Sequence, residues 1–202
     1  RAICGMYNIP HNIPITRASF ISPMLKTSIR DTIENLNIYP AKHVGGKNMA
    51  PDFILENGAT LSVKSNTNGF KVCPQNIGQT TRGKFCMYFG IKSTSDSHIK
   101  NWIEGHLDTL YTAYFKNLWC CDYLLWVHQS NEVQLFGPDM ISSYKVDKNN
   151  FSLTRTRKRW NESSTLKYNS LSIGEFQIHT KRNCIKFRFN LKNLLKMISI
   201  EQ

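Results

Sequence analysis

Two residues of opposite charge, Asp52 and Lys64, bracket the stretch "DFILENGATLSVK". A carboxylate can hold a hard divalent cation through oxygen, with water completing the shell. A nearby ammonium can orient an attacking water and offset negative charge building on a phosphoryl group. Together these are the parts of metal-assisted phosphodiester hydrolysis. The pair is useful only if the chain folds back between its members. Phe53, Ile54 and Leu55 form a short apolar run, Glu56-Asn57-Gly58 is a turn signal, and Thr60 to Lys64 alternates polar and apolar. That pattern predicts a β-hairpin turning about Asn57–Gly58, with Asp52 near Lys64 at its open end. Alternation then puts Leu61 and Val63 on one face and Ser62 and Lys64 on the other. The Val63 carbonyl is a further candidate metal ligand. The purely structural alternative is that Asp52, after Pro51, caps a turn and Lys64 is a solvated strand residue.

The elements that must hold this hairpin are legible around it. Ser22 is an N-cap with Pro23 at the first helical position, and Leu25, Ile29, Ile33 and Leu36 follow at helical spacing, predicting a helix over 23–37. Residues 1–17, with Pro10 and Pro14, read as an irregular arm, and 40–50 as a loop. Pro74 is expected to open a short polar helix containing Gln75, Gln79 and Arg82. "KFCMYFGI" reads as a strand and 97–118 as one long helix. "DYLLWVHQ" and "EVQLFG" read as two strands joined at Ser130–Asn131. A strand over 185–189 and a short helix close the chain. Helices and strands mix without strict alternation, so the class is α/β or α+β with a mixed central sheet flanked by helices.

With Pro51–Asp52 followed by Ser62-Val63-Lys64, and a helix before and after the hairpin, the chain resembles the PD-(D/E)XK nuclease superfamily. That superfamily includes most type II restriction endonucleases. The resemblance covers about half the chain and implies a restriction-endonuclease-like core, a Mg²⁺ cofactor, Asp52 as metal ligand and Lys64 as catalytic residue. It also implies cleavage of duplex DNA at a short specific sequence, most simply by a homodimer in a bacterial cytoplasm. Ser62 departs from the pattern, which has an acid two residues before the lysine. Gln75 and Gln79, taken as one helical turn apart, are candidates to supply the missing oxygen ligand, Gln75 first. Glu34 and Glu56 are the nearby acids by sequence. A DNA repair or structure-specific nuclease of the same superfamily, or a DNA-binding protein without catalysis, are the alternatives. A histidine-centred metal nuclease built on His43 and Asn48 finds no supporting His–Cys or H-E-x-x-H spacing.

Charge points to the same partner. Lys and Arg number 26 against 14 Asp and Glu, a net +12, which suits a polyanion. Arg155, Arg157, Lys158 and Arg159 form the densest cluster, and Lys181 and Arg182 follow. Arginine forks fit phosphates and the guanine edge. Gln177 and His179 alternate with apolar residues and are candidates for base contacts. Lys47, Asn48, Asn66, Asn68, Arg82 and Lys84 are expected to line the cleft around the hairpin. For any one of these a solvated surface role is the plain alternative. The division expected is 1–137 for the catalytic core with its arm and 138–202 for a basic DNA-recognition section. No apolar run approaches the ~18 residues of a membrane span, and no secretory leader pattern is visible. The six cysteines lack metal-site spacing and read as buried free thiols in a reducing compartment.

Overall fold

The computed structural model describes residues 1–12, 21–46, 51–66, 69–138, 146–154, 160, 162–179 and 181–200. The chain divides into two units that interleave in sequence: 1–69 with 119–142, and 70–118 with 143–202. These units follow contacts rather than the expected sequence-order division into 1–137 and 138–202. Residues 70–118, expected inside the catalytic core, cluster with the C-terminal section.

In the first unit, α1 (Ala2–Met6) and α2 (Pro23–Glu34) pack on a mixed sheet. Its strands are β1 (Pro40–His43), β2 (Phe53–Leu55), β3 (Thr60–Asn66), β6 (Tyr123–His128) and β7 (Val133–Phe136), in that spatial order. All pairs are antiparallel except β3 with β6, where Leu61 to Asn66 run parallel to Tyr123 to His128. The Ser22 hydroxyl caps α2 by accepting from the Leu25 N–H at 3.1 Å. Leu25, Ile29 and Ile33 then face Phe53, Leu55, Leu61, Leu125 and Val127 in one core. Burying each such side chain is worth roughly 1.5–3 kcal/mol, and this stripe seats α2 on the sheet.

Two expectations fail in this unit. The arm begins with a helical turn, because Ile3 and Cys4 are drawn into the α2 core. The expected loop at 40–50 starts as strand β1, whose Pro40 stands at an edge, where a missing N–H costs no ladder bond.

The second unit is an antiparallel sheet with helices. The strand order is β4 (Lys71–Val72), β11 (Ile185–Asn190), β10 (Leu171–Ile178), β9 (Ser163–Tyr168) and β8 (Phe151–Leu153), with β5 (Gln79–Thr80) also on β11. The helices are α3 (Arg82–Phe89), α4 (Asp96–Gly105), α5 (Leu107–Leu118) and α6 (Leu191–Ile200). The core is aromatic: Tyr114 of α5 stacks on Phe187 with centroids 4.2 Å apart, and Phe187 meets Phe176 and Phe189 at 4.7 Å each.

Three more expectations change here. "KFCMYFGI" is helical, not a strand. Thr81 caps it, Gly90 ends it in the left-handed region at φ 68°, and Phe85 and Phe89 meet at 4.8 Å on one helix face. The long helix is two, broken at His106, whose ring stacks on Trp102 at 4.4 Å and bonds the Trp102 carbonyl. The polar helix from Pro74 is a turn followed by β5. Asn76 takes φ 55°, and Gly78 packs so tightly on Pro74 that a β-carbon would lie 2.2 Å from its carbonyl oxygen. The α+β class with a mixed sheet flanked by helices holds.

Candidate active site

The predicted hairpin forms as expected. Phe53 pairs with Leu61 and Ile54 with Thr60, Gly58 turns at φ 83°, and the Asn57 side chain accepts from the Ala59 N–H. Asp52 sits just before β2 and is fixed on every side by main chain. Its N–H donates to the Leu61 carbonyl at 2.9 Å, and its carbonyl accepts from the N–H groups of Val44 and Gly45 at 3.0 and 3.1 Å. Its carboxylate oxygen Oδ2 accepts from the Val63 N–H at 2.7 Å and from the Ser62 hydroxyl at 3.4 Å. An amide bond to an ionised carboxylate is among the stronger hydrogen bonds, so the side chain is held in one orientation. Ser62 is fully buried. It supplies a hydrogen bond to Asp52 and no charge.

The other carboxylate oxygen, Oδ1, turns toward Gly45 and His43. A β-carbon built on Gly45 would lie 3.1 Å from Oδ1 and 3.0 Å from His43 Nε2. The absence of a side chain at Gly45 thus leaves room where these two atoms converge. Asp52 and His43 line a cavity of about 640 Å³ together with Pro10, His11, Asn12, Val44, Gly45 and Gly46. They also line a second cavity of about 560 Å³, whose walls include Ile3, Leu25, Ile29, Val63, Ser65 and Asn66. The His43 ring meets Phe53 edge-on at 5.3 Å. Burial lowers its pKa, and the Asp52 carboxylate opposes that shift.

Lys64 lies on β3 opposite Trp126 of β6, next to Val63, whose N–H holds Asp52. Its charge and that of Asp52 both reach the Cys120 thiol, Lys64 favouring the thiolate and Asp52 opposing it. Cys120 is drawn down to about 7, first by its hydrogen bond with Cys121, against burial, with Lys64 assisting. The same bond, with burial, pushes Cys121 up. The expectation of buried thiols therefore holds for Cys4 and Cys86, whereas Cys120 is exposed and Cys121 half-buried. Adjacent cysteines carry no spacing signal, so their place beside the lysine was not readable from sequence.

The remaining acids are positioned otherwise. Glu56 is exposed in the hairpin turn, at the end opposite Asp52, four residues and so about 13 Å away at strand rise. Glu34 ends α2 and faces Arg30 at 4.0 Å on an exposed surface. Among the described residues, no three His, Cys, Asp or Glu side chains cluster as a metal cage. An ion at Asp52 would draw most of its shell from main chain, water and substrate, as Mg²⁺ commonly does. An open carboxylate oxygen over a glycine cradle fits that kind of site.

Gln75 and Gln79 belong to the second unit. They are not on one helical turn: the Gln75 N–H donates to the Asn117 carbonyl at 3.2 Å, and Gln79 pairs with Lys186 across β5 and β11. The shared-face premise for this pair is withdrawn.

The proposed DNA contacts divide. Lys47, Asn48, Asn68, Arg155, Arg157, Lys158 and Arg159 lie outside the described residues. Asn66 accepts from the Trp126 indole N–H at 2.8 Å. Arg82 is ion-paired with Asp96 and donates to the His179 carbonyl at 2.8 Å. Gln177 donates to Glu175 at 2.7 Å, and His179 contacts Glu162 at 3.0 Å. Lys84, Lys181 and Arg182 are exposed, the last two in the β10–β11 connection.

The charge itself is unevenly divided. The first unit has 7 basic and 7 acidic residues and the second 19 and 7, so the whole +12 falls on the second.

The chain is 32% identical over 200 residues to the type II restriction enzyme CviAII of Paramecium bursaria Chlorella virus 1. The alignment takes in 96% of this chain and 57% of that protein, so the chain spans little more than half the length of the relative it matches. No protein-family profile matches the chain. No solved structure matches it either. The relative is viral, so the expected bacterial origin has no support from it. No helix is long and apolar enough to cross a membrane.

Proposed function

We propose that the chain is a Mg²⁺-dependent type II restriction endonuclease, hydrolysing phosphodiester bonds of duplex DNA at a short specific sequence. The observation that carries this reading is the similarity to a type II restriction enzyme along almost the whole chain. The immobilised Asp52 at the open end of a hairpin whose return strand carries Lys64 agrees with it. Asp52 Oδ1 and the Val63 carbonyl would hold the ion. Bound Mg²⁺ would acidify a water and neutralise charge on the scissile phosphate. Asp52 keeps its aim through the Val63 and Ser62 hydrogen bonds, so little reorganisation is needed when substrate arrives. Lys64 stabilises negative charge developing on the phosphoryl oxygens and orients the attacking water. The neutral first unit does chemistry and the basic second unit grips the phosphates. Two copies cutting one strand each account for double-strand cleavage.

Plasmid digestion with and without Mg²⁺ tests this. The expected result is discrete linear fragments with Mg²⁺ only. A smear or nicking alone points to a repair or nonspecific nuclease, and a gel shift without cleavage to a binding protein; either outcome overturns the reading.

A further inference from the structure

A two-oxygen protein contribution is thin for an ion site, and the position that would bring a second carboxylate is the buried Ser62. The fold brings a different donor to Asp52. Strand β1 pairs with β2 so that His43 stands opposite Phe53, the residue after Asp52. The chain then turns, and the Val44 and Gly45 N–H groups both clamp the Asp52 carbonyl. This wrap carries the imidazole over the same glycine that cradles Asp52 Oδ1. His43 Nε2 and Oδ1 stand 3.0 and 3.1 Å from one point in space, the place a Gly45 β-carbon would occupy. Both side chains line the same cavity, which is open enough to admit an ion and its waters. Within the described residues no hydrogen bond occupies the His43 ring; its neighbours are the Phe53 ring and the His11 ring, the latter at 6.5 Å.

We infer that His43 Nε2 is the second protein side-chain ligand of the ion held by Asp52, making a mixed imidazole–carboxylate centre that binds Co²⁺ or Mn²⁺ more tightly than Mg²⁺. The inference rests on the ion site of the proposed function. Its chemistry is that imidazole suits the later divalent metals, whereas Mg²⁺ takes oxygen and keeps its water. A neutral donor also adds no charge, so Mg²⁺ binding should depend on Asp52 far more than on His43.

The test is Co²⁺ and Mg²⁺ titration of the intact protein without DNA, followed by calorimetry and by proton NMR of the Co²⁺ form. A ring-bound Co²⁺ shifts the exchangeable imidazole N–H proton far outside the ordinary spectrum. The expected result is that signal in the wild type and its loss in His43→Ala. Co²⁺ affinity in the variant should fall about tenfold or more while Mg²⁺ affinity stays within about threefold. His43→Gln, which keeps the side-chain volume, should behave alike and guards against misfolding. An unchanged signal and Co²⁺ affinity in both variants overturns the inference. Asp52→Ala separates the two levels. If it leaves binding of both ions intact, the ion site of the proposed function itself fails. If it abolishes binding while the His43 variants bind normally, only the role of His43 fails.

Discussion

The two units use charge in opposite ways. The first is neutral overall, and its important charge is one carboxylate gripped by five main-chain and hydroxyl hydrogen-bond partners around the Asp52 peptide and side chain. The second carries the entire positive excess, yet several of the acids it has are paired. Glu175 serves Lys71, Arg188 and Gln177 together; burial would raise its pKa, and these partners hold it below the usual range. Asp96 takes Arg82, and Glu162 meets His179. The contrast teaches that a positively charged residue in this chain is not by itself a DNA contact. Arg82 is spent on holding α3 and α4 to the β10 end, whereas Lys181 and Arg182 stand exposed in a connection.

If the first unit supplies chemistry and the second supplies grip, their variants should separate cleanly. We predict the largest effect for Asp52→Ala and Lys64→Ala. Each should lower the single-turnover cleavage rate by roughly 10²–10³-fold or more while DNA affinity, measured by titration in Ca²⁺, stays within about threefold. Near-wild-type cutting by either variant breaks the assignment of the first unit.

A smaller effect is predicted for the double variant Lys181→Ala with Arg182→Ala. Each lost phosphate contact should flatten the slope of log K against log salt by about 0.9. The rate at saturating DNA should hardly move. An unchanged slope removes the β10–β11 connection from the interface, and the cluster at Arg155 and Arg157 would then be the segment to test by the same titration.

The smallest effect concerns Cys120, on the chemical side of the comparison. The thiolate is the reactive form, and the thiol is drawn down to about 7. Its fraction, and so the alkylation rate by iodoacetamide, should rise with pH through about 7 and level off above. Most cysteines have their midpoint about 1.5 units higher, near 8.5. Because the Lys64 charge assists ionisation, Lys64→Ala should move the Cys120 midpoint upward. A midpoint indifferent to Lys64 would mean that the lysine head does not share the thiol's surroundings.

How much was legible follows from the range of the forces involved. The hairpin and α2 were readable because their signals are local. Gly58 adopts a positive φ at little steric cost, Ser22 satisfies its own helix end, and the 3.6-residue period of Leu25, Ile29 and Ile33 reports which side of α2 is buried. The placement of Asp52 just before β2 and of Lys64 on β3 came with them, since the three-residue loop Glu56–Gly58, closed by the Leu55 N–H on the Ala59 carbonyl, sets register along the hairpin. "KFCMYFGI" was misread because aromatic residues favour strands on average, while the actual burial of Phe85 and Cys86 and the caps at Thr81 and Gly90 belong to a helix. Likewise the break at His106, where the ring stacks on Trp102 and bonds its carbonyl, has no signal in the helical periodicity of 97–118.

What the sequence by itself determined is therefore the α+β class, the hairpin with its carboxylate and lysine, and the total charge. Only the tertiary structure decided that the whole charge excess sits in the unit without the hairpin. It also decided that 70–118 cluster with 143–202, and that His43 and Asp52 converge on the same glycine. Each of these depends on pairing between residues distant in the chain or on a main-chain wrap, such as Val44 and Gly45 around the Asp52 carbonyl. Main-chain hydrogen bonds are available to every residue but proline, so nothing in the identity of Val44 or Gly45 announces which carbonyl they will clamp.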